Sequence, residues 1–215
     1  MEATEAIEKW RSIRKYKTEP VPDGALRKTL DAGRKAPSWE NVQPWHFIAV
    51  DDEGLKQKLV KLSRGQKFIA SAPVVIAVCG DVGAWDKPRN REALLKATAE
   101  VVDNLLLKDP VFCVAEHGPS IILARTMEQL GIAYGFMCVE AVNHGLGCCI
   151  VGAFGNEMTG SLRQLYDEVR ADLALPERVY LLALLTIGIP DEQPPARPRK
   201  NFDSVVSKNK YGNPL

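Results

Sequence analysis

The sequence predicts an α+β fold in which one sheet lies between layers of helices. Four apolar, strand-like runs are separated by helical patterns, without the regular βαβ alternation that builds a parallel sheet. No GxGxxG turn follows a strand, which weighs against a Rossmann nucleotide fold. With 215 residues the chain is long enough to bury a large core, so we expect a single domain over residues 1–215.

The predicted strands are runs rich in β-branched and aliphatic residues. They are WHFIAV (45–50), PVVIAVCG (73–80), CCIVGAF (148–154) and VYLLALLTIGIP (179–190). The second run is apolar on both faces of a strand, which places it in the centre of the sheet.

Helices are predicted where apolar residues recur every three to four positions. These segments are roughly residues 3–9, 19–36, 53–62, 91–107, 119–144 and 159–170. The second helix must end before Pro37, because the residue before a proline avoids helical backbone angles. The helix at 119–144 carries many small residues and little charge, so it is expected to be buried against close neighbours.

Two segments fit this layered pattern poorly. Residues 81–115 are expected to form an insertion or lid. Residues 191–215 are proline-rich, basic and extended, and they offer no apolar core of their own. We expect this second segment to pack as an arm on a partner subunit.

The composition excludes several classes of function. Basic and acidic residues nearly cancel, at 28 and 27, so no overall field favours nucleic acid. The five cysteines show no CxxC spacing and the three histidines lie apart, so neither a disulfide framework nor a metal site is expected. The first residues are charged, unlike a signal peptide, and no apolar run is long enough to cross a bilayer. We expect a cytoplasmic protein without membrane or nucleic-acid partners.

Two basic clusters are candidate binding sites for a phosphate or another anion. In WRSIRKY, Arg11, Ser12 and Arg14 alternate with an isoleucine, so we expect the polar groups to share one face of an extended segment. In ARPRK, the intervening proline places Arg197 and Arg199 on the same side of the chain. Each cluster by itself is equally compatible with a solvated surface.

The loop APSWENVQPW is stiffened by prolines and carries hydrogen-bonding side chains. Ser38, Asn41 and Gln43 are suited to read the edge of a heteroaromatic ring, or else to cap a tight turn locally. Gly152, at the end of the third strand, allows close backbone approach of a ligand, or else marks a strand bulge.

No pattern indicates a protein nucleophile or a general base, and there is no GxSxG elbow or Walker loop. The adjacent Cys148 and Cys149 are a candidate redox pair. Apolar surroundings raise the pKa of a thiol, however, so buried and unreactive thiols are the favoured interpretation. If the chain is an enzyme, a cofactor therefore carries the chemistry.

Taken in order, the motifs RSIRKY, APSWENVQPWHF, APVVIAV, GLGCCIVGAF and IGIPDEQPPARPRK resemble the flavin-dependent nitroreductase family across nearly the whole chain. The resemblance implies a sandwich with a mostly antiparallel sheet and an intertwined homodimer that binds two FMN molecules at the subunit interface. It implies an oxidoreductase in which NADH or NADPH reduces nitroaromatic, quinone or similar small acceptors. The implied mechanism is ping-pong hydride transfer through flavin N5.

The resemblance also implies a set of flavin contacts drawn from both subunits. Arg14 would lie near the pyrimidine edge of the ring, and Arg197 and Arg199 would hold the phosphate. Residues 150–153 would line one ring face and donate a backbone N–H toward N5. The full set is Arg11, Ser12, Arg14, Lys67, Gln129, Ile150, Val151, Gly152, Ala153, Arg197 and Arg199, with Pro37, Ser38 and Asn41 from the other subunit.

The chain departs from the family pattern at two places. Trp10 stands where an arginine is frequent, and Gly135–Phe136 stands where polar amides are common. Three other functions remain open. They are a specialised flavoenzyme of the same fold (a reductive dehalogenase or the flavin-cleaving synthase of dimethylbenzimidazole), a flavin-binding module without turnover, and a structural dimer without ligand.

Overall fold

A computed structural model describes residues 2–94, 99–152 and 160–215. Its centre is a four-stranded sheet in the order β1-β2-β4-β3, in which every neighbouring pair is antiparallel. The strands are β1 Trp45–Val50, β2 Val74–Asp81, β3 Gly147–Gly152 and β4 Val179–Gly188. The α+β fold with an antiparallel sheet is therefore confirmed.

Helices cover both faces of this sheet. They are α1 Ala3–Lys9, α2 Asp23–Arg34, α3 Glu53–Leu62, α4 Phe68–Ser71, α5 Lys87–Leu94, α6 Ala99–Val101, α7 Pro119–Asn143 and α8 Arg163–Asp172. The last of these begins and ends later than the predicted 159–170, and residue 159 itself lies outside the described residues. None of the described helices is both long and apolar enough to cross a membrane.

The helix predicted over 91–107 is wrong in its boundaries. The structure begins α5 at Lys87, because Pro88 occupies the first turn, where its missing N–H forfeits no helical hydrogen bond. After a stretch outside the described residues, the chain continues as the short α6 and a π-helical turn at Val102–Leu106. The segment is anchored on α7, where the buried Trp85 Nε1 donates a hydrogen bond to Thr126 Oγ1 at 2.9 Å.

The central position of β2 follows from its burial on both faces. Val75, Ala77 and Cys79 point into one apolar cluster, which also contains residues of α3 and α8. Ile76 and Val78 point into the opposite cluster, which contains residues of α7. All five side chains are fully buried. The predicted sandwich of a sheet between helices is thus realised by the two-residue alternation of one strand.

The N-terminal segment 11–16 lies along the free edge of β3. Ile13 N donates to Cys148 O at 3.0 Å, and Ser12 forms a parallel bridge with the same cysteine. A Cβ on Gly147 would come within 2.8 Å of the Ile13 side chain, so this approach requires a glycine. The buried Tyr16 hydroxyl completes the attachment with a 2.6 Å hydrogen bond to Thr186 Oγ1.

The chain leaves β4 beside this segment and then becomes exposed. Asp191 N donates a hydrogen bond to Lys15 O at 2.9 Å. The rest of the chain is a largely extended arm with one short 3-10 turn at Phe202–Ser204. Large apolar side chains of the arm are exposed to solvent, namely Phe202, Val205, Tyr211 and Leu215.

Candidate functional site

A cluster of polar and cationic side chains lies beside the free edge of β3. Arg14 is exposed, and its guanidinium stands 5.7 Å from the centre of the Phe68 ring. Lys67, also exposed, immediately precedes this phenylalanine at the start of α4. Glu192 Oε1 accepts hydrogen bonds from the backbone N–H groups of Arg14 and Lys15, which fixes the course of the segment. The cluster therefore presents two cations from different elements on a fixed backbone.

Arg11 does not share a face with Ser12 and Arg14, so that part of the prediction is wrong. In an extended segment the side chains alternate, and Arg11 has the same parity as the buried Ile13. Its guanidinium turns back to donate to Glu8 O at 2.6 Å and to Trp10 O at 2.7 Å. Arg11 thus satisfies carbonyl groups at the C-terminal end of α1.

The end of β3 is open to a flat ligand. A Cβ built on the exposed Gly152 would meet nothing within 4 Å. Ile150 is half-buried, whereas the Val151 side chain lies in the core with 4% exposure, so only the Val151 backbone is available to a ligand. Ala153 lies outside the described residues.

Cys148 and Cys149 point to opposite faces of β3, as neighbours in a strand do, so a vicinal disulfide is disfavoured. Trp10 Nε1 donates to Cys148 Sγ at 3.4 Å, which gives this unusual tryptophan a place in the core. Burial raises the pKa of the Cys149 thiol, although nearby Arg14 opposes the shift. The opposite directions of the two side chains and the raised pKa of Cys149 therefore disfavour a Cys148–Cys149 redox pair.

The loop before β1 has an unusual backbone. Glu40, Asn41 and Gln43 have φ values of 49°, 57° and 49°, in the left-handed region that non-glycine residues rarely adopt. Ser38 Oγ accepts a 3.0 Å hydrogen bond from Gln43 N, so the loop caps itself locally. Backbone strain of this kind costs about 1–3 kcal/mol per residue and is retained mainly at functional sites.

Gln129 of α7 holds this loop in place. Its Oε1 accepts from Trp39 N at 2.8 Å, and its Nε2 donates to Glu128 Oε2 at 3.0 Å. The Arg125 guanidinium lies 4.6 Å from the centre of the Trp39 ring. Gln129 is 2% exposed, so its observed role is to anchor the loop from within the core. A direct flavin contact of Gln129 stays a prediction.

One chain does not bring all of the predicted residues together. The loop with Pro37, Ser38 and Asn41 leads into β1, whereas Ser12 and Arg14 follow β3 at the opposite edge of the sheet. Three strand spacings, roughly 14 Å in total, separate those edges. Arg197 and Arg199 lie on the exposed arm, where the described part of the chain provides them with no hydrogen bond. The predicted set thus forms three separate groups.

Several residues that shape the site could not be found from the sequence. Glu192 accepts a hydrogen bond from the backbone N–H of Arg14, 178 residues earlier in the chain, and no local pattern indicates that contact. Arg125 and Glu128 belong to a helix face that carries no recognisable motif. The long-range stack of Arg125 on Trp39 depends wholly on how α7 packs against the loop.

We expect Gln129→Leu to lower the free energy of unfolding by about 1–3 kcal/mol, because Trp39 N–H would lose its buried acceptor. Hydrogen exchange should also become faster at the amides of residues 39–43. Urea unfolding and amide exchange measure these two effects. Glu128→Gln is the control, since it retains an acceptor for Gln129 and leaves the Trp39 contact intact. Unchanged protection at Trp39 in Gln129→Leu would rule out the anchoring role.

Comparison with known proteins identifies the family. The family model described as "Nitroreductase family" matches residues 7–189. An NADH dehydrogenase from Thermus thermophilus is 30% identical over 207 residues, which cover 96% of this chain and 95% of that protein. An NAD(P)H-using FMN reductase from Bacillus subtilis is 29% identical over 212 residues, with 99% of this chain and 75% of that protein covered.

Solved structures share the fold. The hypothetical oxidoreductase YcnD from Bacillus subtilis superposes with a TM-score of 0.74 at 28% identity, covering 98% of this chain and 75% of that one. The NADPH:FMN oxidoreductase from Vibrio harveyi, complexed with NAD+, superposes with a TM-score of 0.71 at 23% identity, covering 97% of this chain and 77% of that one. Because the family model covers residues 7–189 and a relative is 30% identical over 96% of the chain, the chain belongs to the nitroreductase family.

Proposed function

We propose that this protein is an FMN-dependent oxidoreductase that uses NADH or NADPH to reduce nitroaromatic, quinone or similar acceptors by a ping-pong mechanism. Family membership and the FMN reductase among the relatives support the cofactor and the electron donor. The observation that carries the proposal is the cluster at the β3 edge, where Arg14 and Lys67 stand near a strand that ends in an open glycine.

The residues present fit FMN. FMN carries an anionic phosphate at one end and develops negative charge at the pyrimidine edge of its ring, so it favours cations and polar groups, which Arg14, Lys67 and Ser12 offer from two elements. Its flat ring requires a backbone without side-chain obstruction, which Gly152 provides. When bound, FMN supplies the N5 atom through which hydride passes between NAD(P)H and the acceptor.

The protein's own contribution is orientation and electrostatics. Arg14 would hold positive charge near the pyrimidine edge of the ring, where negative charge develops on reduction. The Phe68 ring beneath its guanidinium and Glu192 on its backbone N–H limit the positions that Arg14 can take. The backbone of residues 150–152 would support one face of the ring and direct an N–H toward it.

We further propose that the complete site belongs to a homodimer. The loop with Pro37, Ser38 and Asn41 would reach the flavin of the partner, and Arg197 and Arg199 would close on the phosphate from the arm 191–215. The separation of these groups in one chain supports a site built from two. The exposed apolar residues of the arm support its packing on a second copy. Residues 81–115 would form an insertion or lid.

The first test is the visible absorption spectrum of the purified protein, followed by NADH or NADPH added without oxygen. A flavin spectrum that bleaches is the expected result. A flavin that stays oxidised with both donors would instead indicate a binding module without turnover. A colourless protein that cannot be reconstituted with FMN would contradict the proposal.

Arg14→Ala tests the assignment of the cluster. We expect FMN affinity to fall about tenfold to a hundredfold, because a charge-assisted contact is lost. Fluorescence titration of the apoprotein with FMN measures the change. Arg27→Ala is the matched control, because it removes an exposed arginine from α2 on another part of the surface. Equal affinity and equal reduction rate in Arg14→Ala would remove Arg14 from the site.

A further inference from the structure

The chain that follows β4 brings a carboxylate to the cluster at the β3 edge. Lys17 N donates a hydrogen bond to Ile189 O at 2.9 Å, and Tyr16 forms an antiparallel bridge with Pro190. Two residues beyond this bridge, the half-buried Glu192 reaches across to the N-terminal segment. This contact lies where the arm 191–215 begins.

One oxygen of Glu192 accepts hydrogen bonds from two successive backbone N–H groups. Glu192 Oε1 accepts from Arg14 N and, at 3.1 Å, from Lys15 N. Hydrogen bonds to a charged acceptor are about twice as strong as those between neutral groups. Because both donors belong to the backbone, the carboxylate has a fixed position relative to the segment that carries Arg14. The fold therefore places a negative charge beside a positively charged residue of the candidate site.

The charge of Glu192 acts on groups at the edge of β3. Burial is the main cause that raises the pKa of the Cys149 thiol; Arg14 opposes this shift, and Glu192 adds to it. Burial likewise raises the pKa of Tyr16, and Glu192 adds to that shift as well. Each of these groups gains negative charge when it loses a proton, so Glu192 disfavours added negative charge at this edge of the sheet.

Reduction of a flavin would add negative charge at the same edge. In the proposed site the ring lies on residues 150–152, which directly follow Cys149 in β3, and its pyrimidine edge lies near Arg14. Coulomb interaction depends on charge and distance, so a field that opposes a thiolate at Cys149 would also oppose negative charge on the ring. Arg14 and Glu192 would then act on the reduction with opposite signs.

We propose that Glu192 is a positioning residue with two roles: its hydrogen bonds hold the backbone of Arg14, and its charge lowers the midpoint potential of the bound flavin. A lower potential makes the reduced protein a stronger electron donor to its acceptors. This inference rests on the proposed function, because it requires FMN beside Arg14.

The midpoint potential tests the role of the charge. Glu192→Gln keeps a side-chain oxygen that can accept from both N–H groups, but it removes the negative charge. We expect the affinity for reduced FMN, relative to that for oxidised FMN, to rise about threefold to tenfold. For a two-electron couple this change equals a potential about 15–30 mV more positive. Chemical reduction of the holoenzyme in equilibrium with a reference dye measures the potential without NAD(P)H.

Asp191→Asn is the matched control for this charge. It removes the same charge from the neighbouring residue, which is exposed and whose backbone N–H donates to Lys15 O. Because solvent and salt screen an exposed charge, the potential should stay at the wild-type value. An equal shift in both variants would overturn the assignment in favour of a general field effect. An unchanged potential in Glu192→Gln would overturn it outright.

Amide exchange tests the hold on the backbone and does not depend on turnover. We expect the amides of Arg14 and Lys15 to exchange about tenfold faster in Glu192→Ala, which removes the acceptor, and at nearly the wild-type rate in Glu192→Gln. Equal protection in the wild type and in Glu192→Ala would overturn the positioning role.

The outcomes separate this inference from the proposed function. A holoenzyme that shows the expected shift in potential but is not reduced by NAD(P)H would contradict the proposed function alone. A holoenzyme that NAD(P)H reduces, but whose potential does not respond to Glu192→Gln, would contradict only the role of the charge. A protein that binds no FMN would overturn both.

Discussion

Gly147→Val is expected to detach the N-terminal segment from the sheet and to abolish tight FMN binding. A Cβ at this position would lie 2.8 to 2.9 Å from three side-chain atoms of Ile13, before either added methyl group is placed. Ile13 is β-branched and stiff at χ1, and its N–H is committed to Cys148 O. The clash is thus relieved only by moving the segment.

We expect the free energy of unfolding and the affinity for FMN to fall together in this variant. Overpacking of this kind costs about 1–3 kcal/mol, to which the lost contacts of the segment add. Because Ser12 and Arg14 follow Ile13, we expect FMN affinity to fall by about a hundredfold or more. Urea unfolding and FMN titration measure the two effects. Gly24→Val is the control, because a Cβ on Gly24 meets nothing within 4 Å. Wild-type values in both assays would show that this contact does not hold the segment.

Removal of residues 196–215 is expected to produce monomers that do not retain FMN. The arm exposes Phe202, Val205, Tyr211 and Leu215, with exposures of 60% to 101%. Full burial of one such side chain is worth about 1.5–3 kcal/mol, so an arm that lies on a partner supplies much of the energy of association. The same deletion removes Arg197 and Arg199, which we assign to the phosphate. Light scattering after size exclusion and the flavin content measure the outcome.

Two variants separate these roles of the arm. Phe202→Ser/Val205→Ser keeps the arginines and should weaken the dimer. Arg197→Ala/Arg199→Ala keeps the apolar contacts and should leave the dimer intact while FMN affinity falls about a hundredfold. A truncated chain that remains a dimer with its full flavin content would refute both assignments.

The layers of the fold could be read from local patterns. The apolar run of β2 predicted a central strand, and the structure buries Val75 to Cys79 completely. The recurrence of apolar residues predicted a helix over 53–62, and in α3 the side chains of Leu59 and Leu62 are fully buried. These predictions succeeded because burial on a strand or helix repeats with the geometry of the backbone, which short stretches of sequence already express.

Short-range reasoning failed where neighbouring residues point in different directions. Arg11 looked equivalent to Ser12 and Arg14, but the alternation of an extended chain turns it toward α1. Lys87 begins a helix that was predicted to start at residue 91, because a proline is tolerated in a first helical turn.

The sequence by itself determined the elements of this protein, the order of its motifs and the residue types available for a flavin. Tertiary structure alone decided that Gln129 holds the loop from the core, that Glu192 fixes Arg14, and that the predicted contacts divide between opposite sheet edges. Among the described residues, it also left the two buried carboxylate oxygens of Glu40 without a hydrogen-bond partner. These features depend on contacts between residues far apart in the chain, which local periodicity does not encode.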